Sequence, residues 1–212
     1  MPHEQCRTVY YFNELSDQAK ERARQWWREG FDDWWDYIYE DADKCLGLLG
    51  FNIKRKETQL LSGKKRYDPA IWFQLSYSQG DGASFDGAWA AADVKPVRAM
   101  QAHAPYKPTD PNTHSNKRLH DMAVEANEIK RADKNASAKI TSRRDFYIEA
   151  EDIEAKTDEL ADRIKELARD AARWIYDQLR TEYEYQTADE QVDESIMANE
   201  YEFTGDGRRA VA

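Results

Sequence analysis

The strongest constraint on the fold is a segment of alternating side chains that is interrupted by a glycine-rich turn. Residues 71–77 read IWFQLSY, so that Ile, Phe, Leu and Tyr occupy every second position, which is the period of a β-strand. Gly80-Asp81-Gly82 then supplies good turn chemistry, and residues 83–89 form a second, shorter stretch of the same kind. Together with residues 51–61, which precede a Ser-Gly-Lys-Lys turn, the pattern predicts a three-stranded antiparallel meander.

Helical spacing dominates the segment before this meander. Ser16 is placed as an N-cap and Gly30 as the end of a first helix. The residues that follow predict a second helix, with Trp34, Ile38 and Cys45 on its buried face.

The second half of the chain predicts one strand among several helices. A proline-containing connection around residues 103–114 is irregular, a charged helix covers about 115–134, and a strand covers 137–151. A long helix from about Ile153 to Glu182 carries apolar residues at three- and four-residue spacing. The acidic C-terminal segment, residues 182–206, predicts a short capped helix and a last strand or turn.

These elements predict an α+β fold. Residues 7–13 add an opening strand, and the expected architecture is a single domain over residues 1–212. Its core would be one antiparallel sheet of about four to six strands, with helices packed mainly on one face. The chain length of 212 residues is compatible with one domain.

Charge and composition argue against several classes of function. The formal net charge of −10 disfavours direct nucleic-acid binding, because phosphate contacts need clustered Lys and Arg. No signal peptide and no apolar run of about 18 residues is evident. The two cysteines are too few for a disulfide framework. We therefore expect a cytoplasmic protein that does not bind membranes.

Acidic and aromatic residues concentrate in the stretch WWREGFDDWWDYIYEDAD. Six acids and no base lie between residues 30 and 43, and nine acids and no base lie in 182–206. Partly exposed aromatic side chains beside carboxylates suit a protein-binding surface, and ordered carboxylates can imitate phosphates toward a basic partner. The alternative is an amphipathic helix pair with its acids in solvent. The predicted partner-binding residues are Trp35, as an anchor at the rim, and Asp32, Asp33, Asp36, Glu40, Asp43 and Asp81.

Recognisable catalytic signatures do not occur in the sequence. It contains no HExxH, CxxC, GxGxxG or Walker motif, and neither cysteine has a neighbouring histidine. His114 and His120 are six residues apart, which does not place both on one helix face. Asp81 is expected at a hairpin corner; the alternative is that Asp81 and Asp86 hold a cation or contact a partner. We predict no catalytic residue, no metal site and no cofactor.

Five segments occur in order from about Thr8 to Arg209, namely VYYFNELSDQAKERARQWW, LSYSQGDGASFDG, AHAP, RWIYDQLRTEYEYQTADEQVDESI and ANEYEFTGDGRR. They resemble a family of small proteins that is common in bacteriophage and prophage genomes and is often labelled an antitoxin of a toxin–antitoxin stability system. The resemblance implies a mobile-element origin and a role in contact with the bacterial host. It supplies no catalytic residues.

Three functions are compatible with these observations. The first is a phage-borne inhibitor that binds a bacterial defence component, such as a CRISPR effector complex or a restriction enzyme, without chemistry of its own. Its partner would be a host protein or ribonucleoprotein with a basic surface. The second is an antitoxin that masks a toxin, which ranks lower because the chain has no basic helix-turn-helix segment. The third is a small hydrolase or metal enzyme that depends on Asp81.

Overall fold

The computed structural model describes residues 8–32, 34–59, 63–76, 80–143 and 146–210, and it confirms the α+β class. The helices in these residues are α1 (Asp17–Glu29), α2 (Asp36–Leu48), α3 (Val97–His103), α4 (Lys117–Ala132), α5 (Asp158–Gln186) and α6 (Asp189–Ala198). The strands are β1 (Tyr10–Tyr11), β2 (Phe51–Ile53), β3 (Arg55–Gln59), β4 (Lys65–Pro69), β5 (Ile71–Gln74), β6 (Gly82–Phe85), β7 (Gly87–Ala90), β8 (Ser137–Ser142), β9 (Ile148–Glu154) and β10 (Glu202–Phe203).

Contacts divide the chain into two compact units. The terminal unit comprises Met1–Trp34 and Thr181–Ala212, and the central unit comprises Trp35–Arg180. Each unit has its own buried side chains and its own strand pairing.

The terminal unit packs α1 and α6 around a small apolar core. Ser16 caps α1 as predicted, because its hydroxyl accepts a hydrogen bond from the Ala19 amide at 3.4 Å, and the helix ends before Gly30. Strands β1 and β10 pair antiparallel. The buried residues of this core are Phe12, Leu15, Ala19, Ala23, Val192, Ile196 and Phe203.

A four-stranded antiparallel sheet in the order β2-β7-β8-β9 organises the central unit. Phe51 and Trp89 face each other on its buried side, and the Trp89 indole N–H donates to the Leu49 carbonyl at 2.9 Å. The other side carries the exposed residues Ala88 and Lys139, which are paired in register. Only one face of the sheet is therefore buried, which agrees with the predicted helices on one face.

The predicted meander is a closed three-way junction rather than a flat sheet. Strands β2, β3, β4, β5, β6 and β7 pair as β2 with β7, β3 with β4 and β5 with β6. The single residues that separate consecutive strands bond to one another: the Lys54 amide donates to the Asp86 carbonyl, Ala70 to Lys54, and Asp86 to Ala70, at 2.8, 2.8 and 3.0 Å. At this ring of hydrogen bonds, the segment β2–β3 passes from pairing with β7 to pairing with β4. The segments β4–β5 and β6–β7 change their pairing partner at the same place.

Two predicted helix boundaries are wrong. Helix α2 begins at Asp36, so Trp34 lies before the helix and is not on its buried face with Ile38 and Cys45. Helix α5 begins at Asp158 instead of Ile153, because β9 continues to Glu154. The apolar face predicted for α5 is buried in the structure.

Three predicted strand and loop assignments also differ from the structure. The single strand predicted over 137–151 is the antiparallel pair of β8 and β9, and Phe146, between them, has a φ of 56°. The opening strand is only Tyr10–Tyr11, followed by a 3₁₀ helix at Phe12–Glu14. The proline-containing connection includes a 3₁₀ helix at Pro111–Asn116. Among the described helices, none has the length and apolar character that a membrane crossing requires.

Candidate functional site

The carboxylates predicted on α2 are partly neutralised by arginines of the central unit. Asp36 accepts two hydrogen bonds from Arg66, at 2.8 and 3.2 Å, and Asp43 forms an ion pair with Arg55 at 2.5 Å. Glu40 is exposed. A partner's basic group would have to compete with these arginines, so the structure makes α2 a weaker acidic surface than the sequence indicated.

The remaining residues of the predicted acidic face are not on α2. Asp32 belongs to the terminal unit and is exposed. Asp33 lies outside the described residues.

The tryptophans beside α2 are half-buried against other rings. Trp35 meets Phe73 edge-on, with ring centroids 5.5 Å apart. In the terminal unit, Trp34 stacks parallel to Phe31 at 6.1 Å and lies 5.6 Å from the ring of Tyr183. Several of the aromatic side chains in this stretch are therefore packed against other rings. Trp35, at the start of α2, packs against Phe73 of β5.

Asp81 closes its own turn. Its Oδ1 accepts hydrogen bonds from the Ser76 amide at 3.0 Å and from the Ser76 hydroxyl at 2.6 Å. Gly80 has a φ of 107°, whereas no positive φ occurs at Gly82, so only Gly80 depends on being glycine for its conformation. The Asp86 carboxylate accepts from the Ser142 amide at 2.7 Å. Both carboxylates thus serve the backbone around them.

A cavity of about 210 Å³ adjoins the Asp81 turn. Phe146 and Tyr176 contribute rings to its wall, and Arg169 and Arg173 contribute guanidinium groups. Burial, followed by the charge of Asp81, raises the pKa of Tyr176. Among the described residues that line it, Asp81 supplies the only carboxylate, and the Oδ1 of that carboxylate accepts two hydrogen bonds from Ser76.

Negative charge is concentrated in the terminal unit. Its 66 residues include 16 acids and seven bases, a formal charge of −9, whereas the central unit has 25 acids and 24 bases, a formal charge of −1. The two ends of the sequence, each acidic, come together in this one unit. The sequence alone shows the nine acids of residues 182–206. It does not show that this segment and the N-terminal segment belong to one unit.

Two arginines of α1, Arg24 and Arg28, bind acids of the same unit. Arg24 holds Asp193 with two hydrogen bonds of 2.7 and 2.8 Å, and Arg28 pairs with Asp189 at 2.5 Å. The Arg24 side chain is half-buried, with 19% of its surface exposed. These pairs join α1 to α6 and leave the other acids of the unit in excess.

An apolar groove of about 340 Å³ lies beside these excess acids. Tyr11 and Met197 line it and are 51% and 48% exposed, and the exposed residue Glu200 also lines it. Tyr11 is paired in register with the exposed Glu202. We call this surface the acidic groove: Tyr11, Phe12, Asn13, Ile196, Met197, Glu200 and Tyr201. None of these was among the predicted site residues, because its two sides come from opposite ends of the chain.

A second cluster, in the central unit, brings a thiol and an imidazole to one carboxylate. Asp41 Oδ1 lies 3.2 Å from His103 Nε2, and the buried Cys45 thiol donates to Asp41 Oδ2 at 3.8 Å. Burial, and then the charge of Asp41, raises the pKa of Cys45 to about 12, so that the thiol is protonated. The sequence places Asp41 and Cys45 one helical turn apart, but it gives no signal for His103.

One family model matches the chain. The family is described as a domain of unknown function, DUF8835, and its model matches residues 34–189, about three quarters of the sequence. No curated protein and no solved structure matches the chain.

Proposed function

The chain belongs to the DUF8835 family, and we propose that it is a non-enzymatic inhibitor that binds a bacterial defence component through an acidic, aromatic surface. The defence component would be a protein or ribonucleoprotein with a basic surface, such as a CRISPR effector complex or a restriction enzyme. The observation that carries this proposal is the formal charge of −9 on the terminal unit. We assign the binding surface to the acidic groove rather than to α2.

The charge asymmetry supports a basic partner. A surface with a large excess of one sign attracts a partner of the opposite sign over distances of about 10 Å at ordinary ionic strength. Glu194, Glu200 and Glu202 are exposed, and within the described chain none of the three forms an ion pair. Their charges are available to a partner, in contrast to those of Asp36 and Asp43 on α2.

The groove supports a protein partner rather than a small cation. Protein interfaces commonly have an aromatic centre that is surrounded by polar groups, and truncation of a central Tyr or Trp often costs 2 kcal/mol or more in binding energy. Tyr11 and Met197 are more than 40% exposed, and the acidic residue Glu200 lines the same groove. An apolar side chain of the partner would fill the groove while its Lys and Arg residues meet the surrounding acids.

The other two functions receive less support. A hydrolase that depends on Asp81 would need that carboxylate for chemistry, but its Oδ1 accepts two hydrogen bonds from Ser76 within the turn. An antitoxin would use the same kind of surface on a different partner, so its distinguishing feature is the identity of the protein bound. The experiment below separates it from the inhibitor.

The test begins with capture of the partner from host lysate, identification by mass spectrometry, and binding measurements with the purified partner. We expect a dissociation constant that rises with salt concentration. Expression of the chain should raise the plating efficiency of phage on a host that carries the captured defence system. The triple variant Glu194→Lys, Glu200→Lys and Glu202→Lys should weaken binding at least about tenfold and remove the inhibition, because like charges at an interface repel.

A matched control applies the same change of charge to the central unit, as Glu40→Lys, Asp93→Lys and Glu154→Lys. All three side chains are exposed, and the control should inhibit like the wild type. If the control loses inhibition and the terminal-unit variant keeps it, the binding surface is on the central unit. Capture of a toxin whose activity the chain blocks would replace the inhibitor with the antitoxin.

A further inference from the structure

Three different metal-ligating side chains meet in the central unit, namely those of Asp41, Cys45 and His103. Their ligand atoms all lie within 4.8 Å of one another. Asp41 and Cys45 are placed by one turn of α2, and His103 is the last residue of α3. Each of these helices is part of the central unit, so the three groups are held by packed elements rather than by a loop.

Two of the separations are close to those of a tetrahedral site, and the three ligand atoms, which lie within 4.8 Å of one another, would need only small side-chain movements to reach that spacing. With metal–sulfur, metal–nitrogen and metal–oxygen distances of about 2.3, 2.0 and 2.1 Å, ligand atoms lie roughly 3.3–3.6 Å apart. Asp41 Oδ1 and His103 Nε2 are 3.2 Å apart, and Cys45 Sγ lies 3.8 Å from Asp41 Oδ2. The His103 and Asp41 side chains are 37% and 55% exposed, so both can turn toward a shared ion.

The charges also suit a divalent cation. A thiolate, a carboxylate and a neutral imidazole balance two positive charges, so the buried sulfur would not be left with an uncompensated charge. Binding would release the thiol proton of Cys45 to solvent, as metal binding to cysteine does. The Asp41 carboxylate, which accepts that thiol's hydrogen bond, would take the metal in place of the proton.

We propose that Asp41, Cys45 and His103 form a binding site for a borderline-soft divalent transition metal, with Zn²⁺ as the expected ion. Thiolate and imidazole ligands favour Zn²⁺ over Mg²⁺ or Ca²⁺, which prefer oxygen ligands. Three protein ligands leave the fourth tetrahedral position to water. The exposed side of the cluster is formed by Asp41 and His103, and that water would lie there.

The test uses the full chain and Co²⁺ as a spectroscopic substitute for Zn²⁺. We expect a saturable 1:1 titration with a thiolate-to-cobalt charge-transfer absorption in the near ultraviolet, and displacement of Co²⁺ by Zn²⁺. Cys45→Ser should abolish the charge-transfer absorption. His103→Ala changes an exposed side chain and should weaken binding by about 100-fold or more, because even outer-shell changes cost 10- to 100-fold.

Two further variants make the result specific to this cluster. Cys6→Ser removes the other thiol of the chain, and His120→Ala removes another histidine of the central unit; both should bind Co²⁺ like the wild type. At a Zn²⁺ concentration 100 times the wild-type dissociation constant, the unfolding temperature should rise by about 5–10 °C in the wild type and by no more than about 1–2 °C in His103→Ala. The proposal is wrong if the wild type gives no charge-transfer absorption, or if His103→Ala binds Co²⁺ as tightly as the wild type.

Discussion

Replacement of Gly207 by alanine should destabilise the terminal unit by about 2–5 kcal/mol. Gly207 has a φ of 85°, in the left-handed region, where a side chain costs about 1–2 kcal/mol. A Cβ atom at this position would lie 2.1 Å from the carbonyl oxygen of Ala19 and 2.8 Å from its carbonyl carbon. Because both atoms belong to the backbone of α1, no side-chain rotation can relieve the contact, and overpacking of this kind costs about 1–3 kcal/mol more.

The change should be confined to the unit that contains Gly207. We expect native-state hydrogen exchange to accelerate at the amides of α1 and α6, while the amides of β8 keep their protection. Urea denaturation followed by circular dichroism would give the loss of free energy directly. Since the acidic groove is formed by the same unit, binding of the partner should weaken along with its stability.

Gly63→Ala is the matched control for the backbone conformation. Gly63 has a φ of 78°, and a Cβ atom there would have nothing within 4 Å. It should therefore cost only the conformational term of about 1–2 kcal/mol. The reasoning fails if Gly207→Ala costs no more than Gly63→Ala, because the close approach to Ala19 would then impose no constraint.

Three other predictions concern single side chains. Asp81→Asn should lower the free energy of unfolding by about 1 kcal/mol in urea denaturation, because the amide oxygen of Asn can still accept hydrogen bonds from Ser76 but lacks the negative charge that strengthens them. A loss of several kcal/mol would contradict this. The side-chain hydrogen bond from Lys139, followed by that from Thr141, lowers the pKa of Glu151. The ionised Glu151 should therefore stabilise the fold fully above its ordinary pKa of 4.5, and this stabilisation should be lost as the pH falls through the depressed pKa. Unfolding temperatures of wild type and Glu151→Gln should therefore converge at low pH, and a constant difference would exclude this linkage. Arg24→Met should cost about 1–3 kcal/mol, because it leaves the half-buried Asp193 without two hydrogen bonds; the double variant with Asp193→Leu should recover part of that loss in the same assay.

Local signals in the sequence were sufficient for the two ends of α1 and for the buried face of α5. Ser16 and Gly30 mark the limits of α1 because capping depends on one or two residues. The buried side of α5 follows from its own apolar spacing. The turn between β8 and β9 was missed because Phe146, an aromatic residue, adopts a positive φ without a Gly or Asn signal.

Both candidate sites depend on contacts that the sequence pattern does not show. The acidic groove needs residues near Tyr11 to meet residues near Met197. The metal-ligating cluster needs α3 to end beside α2, which brings His103 to Cys45 across 58 positions of the chain. Periodicity predicts which face of each helix is buried, but which element packs against that face depends on the packing of the whole unit.

The three-way junction protects the strands from slippage. In an ordinary hairpin, a shift of two residues keeps every side chain on its original face, so the misaligned pairing is only slightly less favourable. Here Lys54, Ala70 and Asp86 are bonded in a ring, and any shift of one stretch would break its pairing with both of the others. Changes of length should consequently be harmful inside β2 through β7 and at the three residues of the ring, and better tolerated in the connection between β3 and β4. That connection is therefore the place to insert a label or a tag.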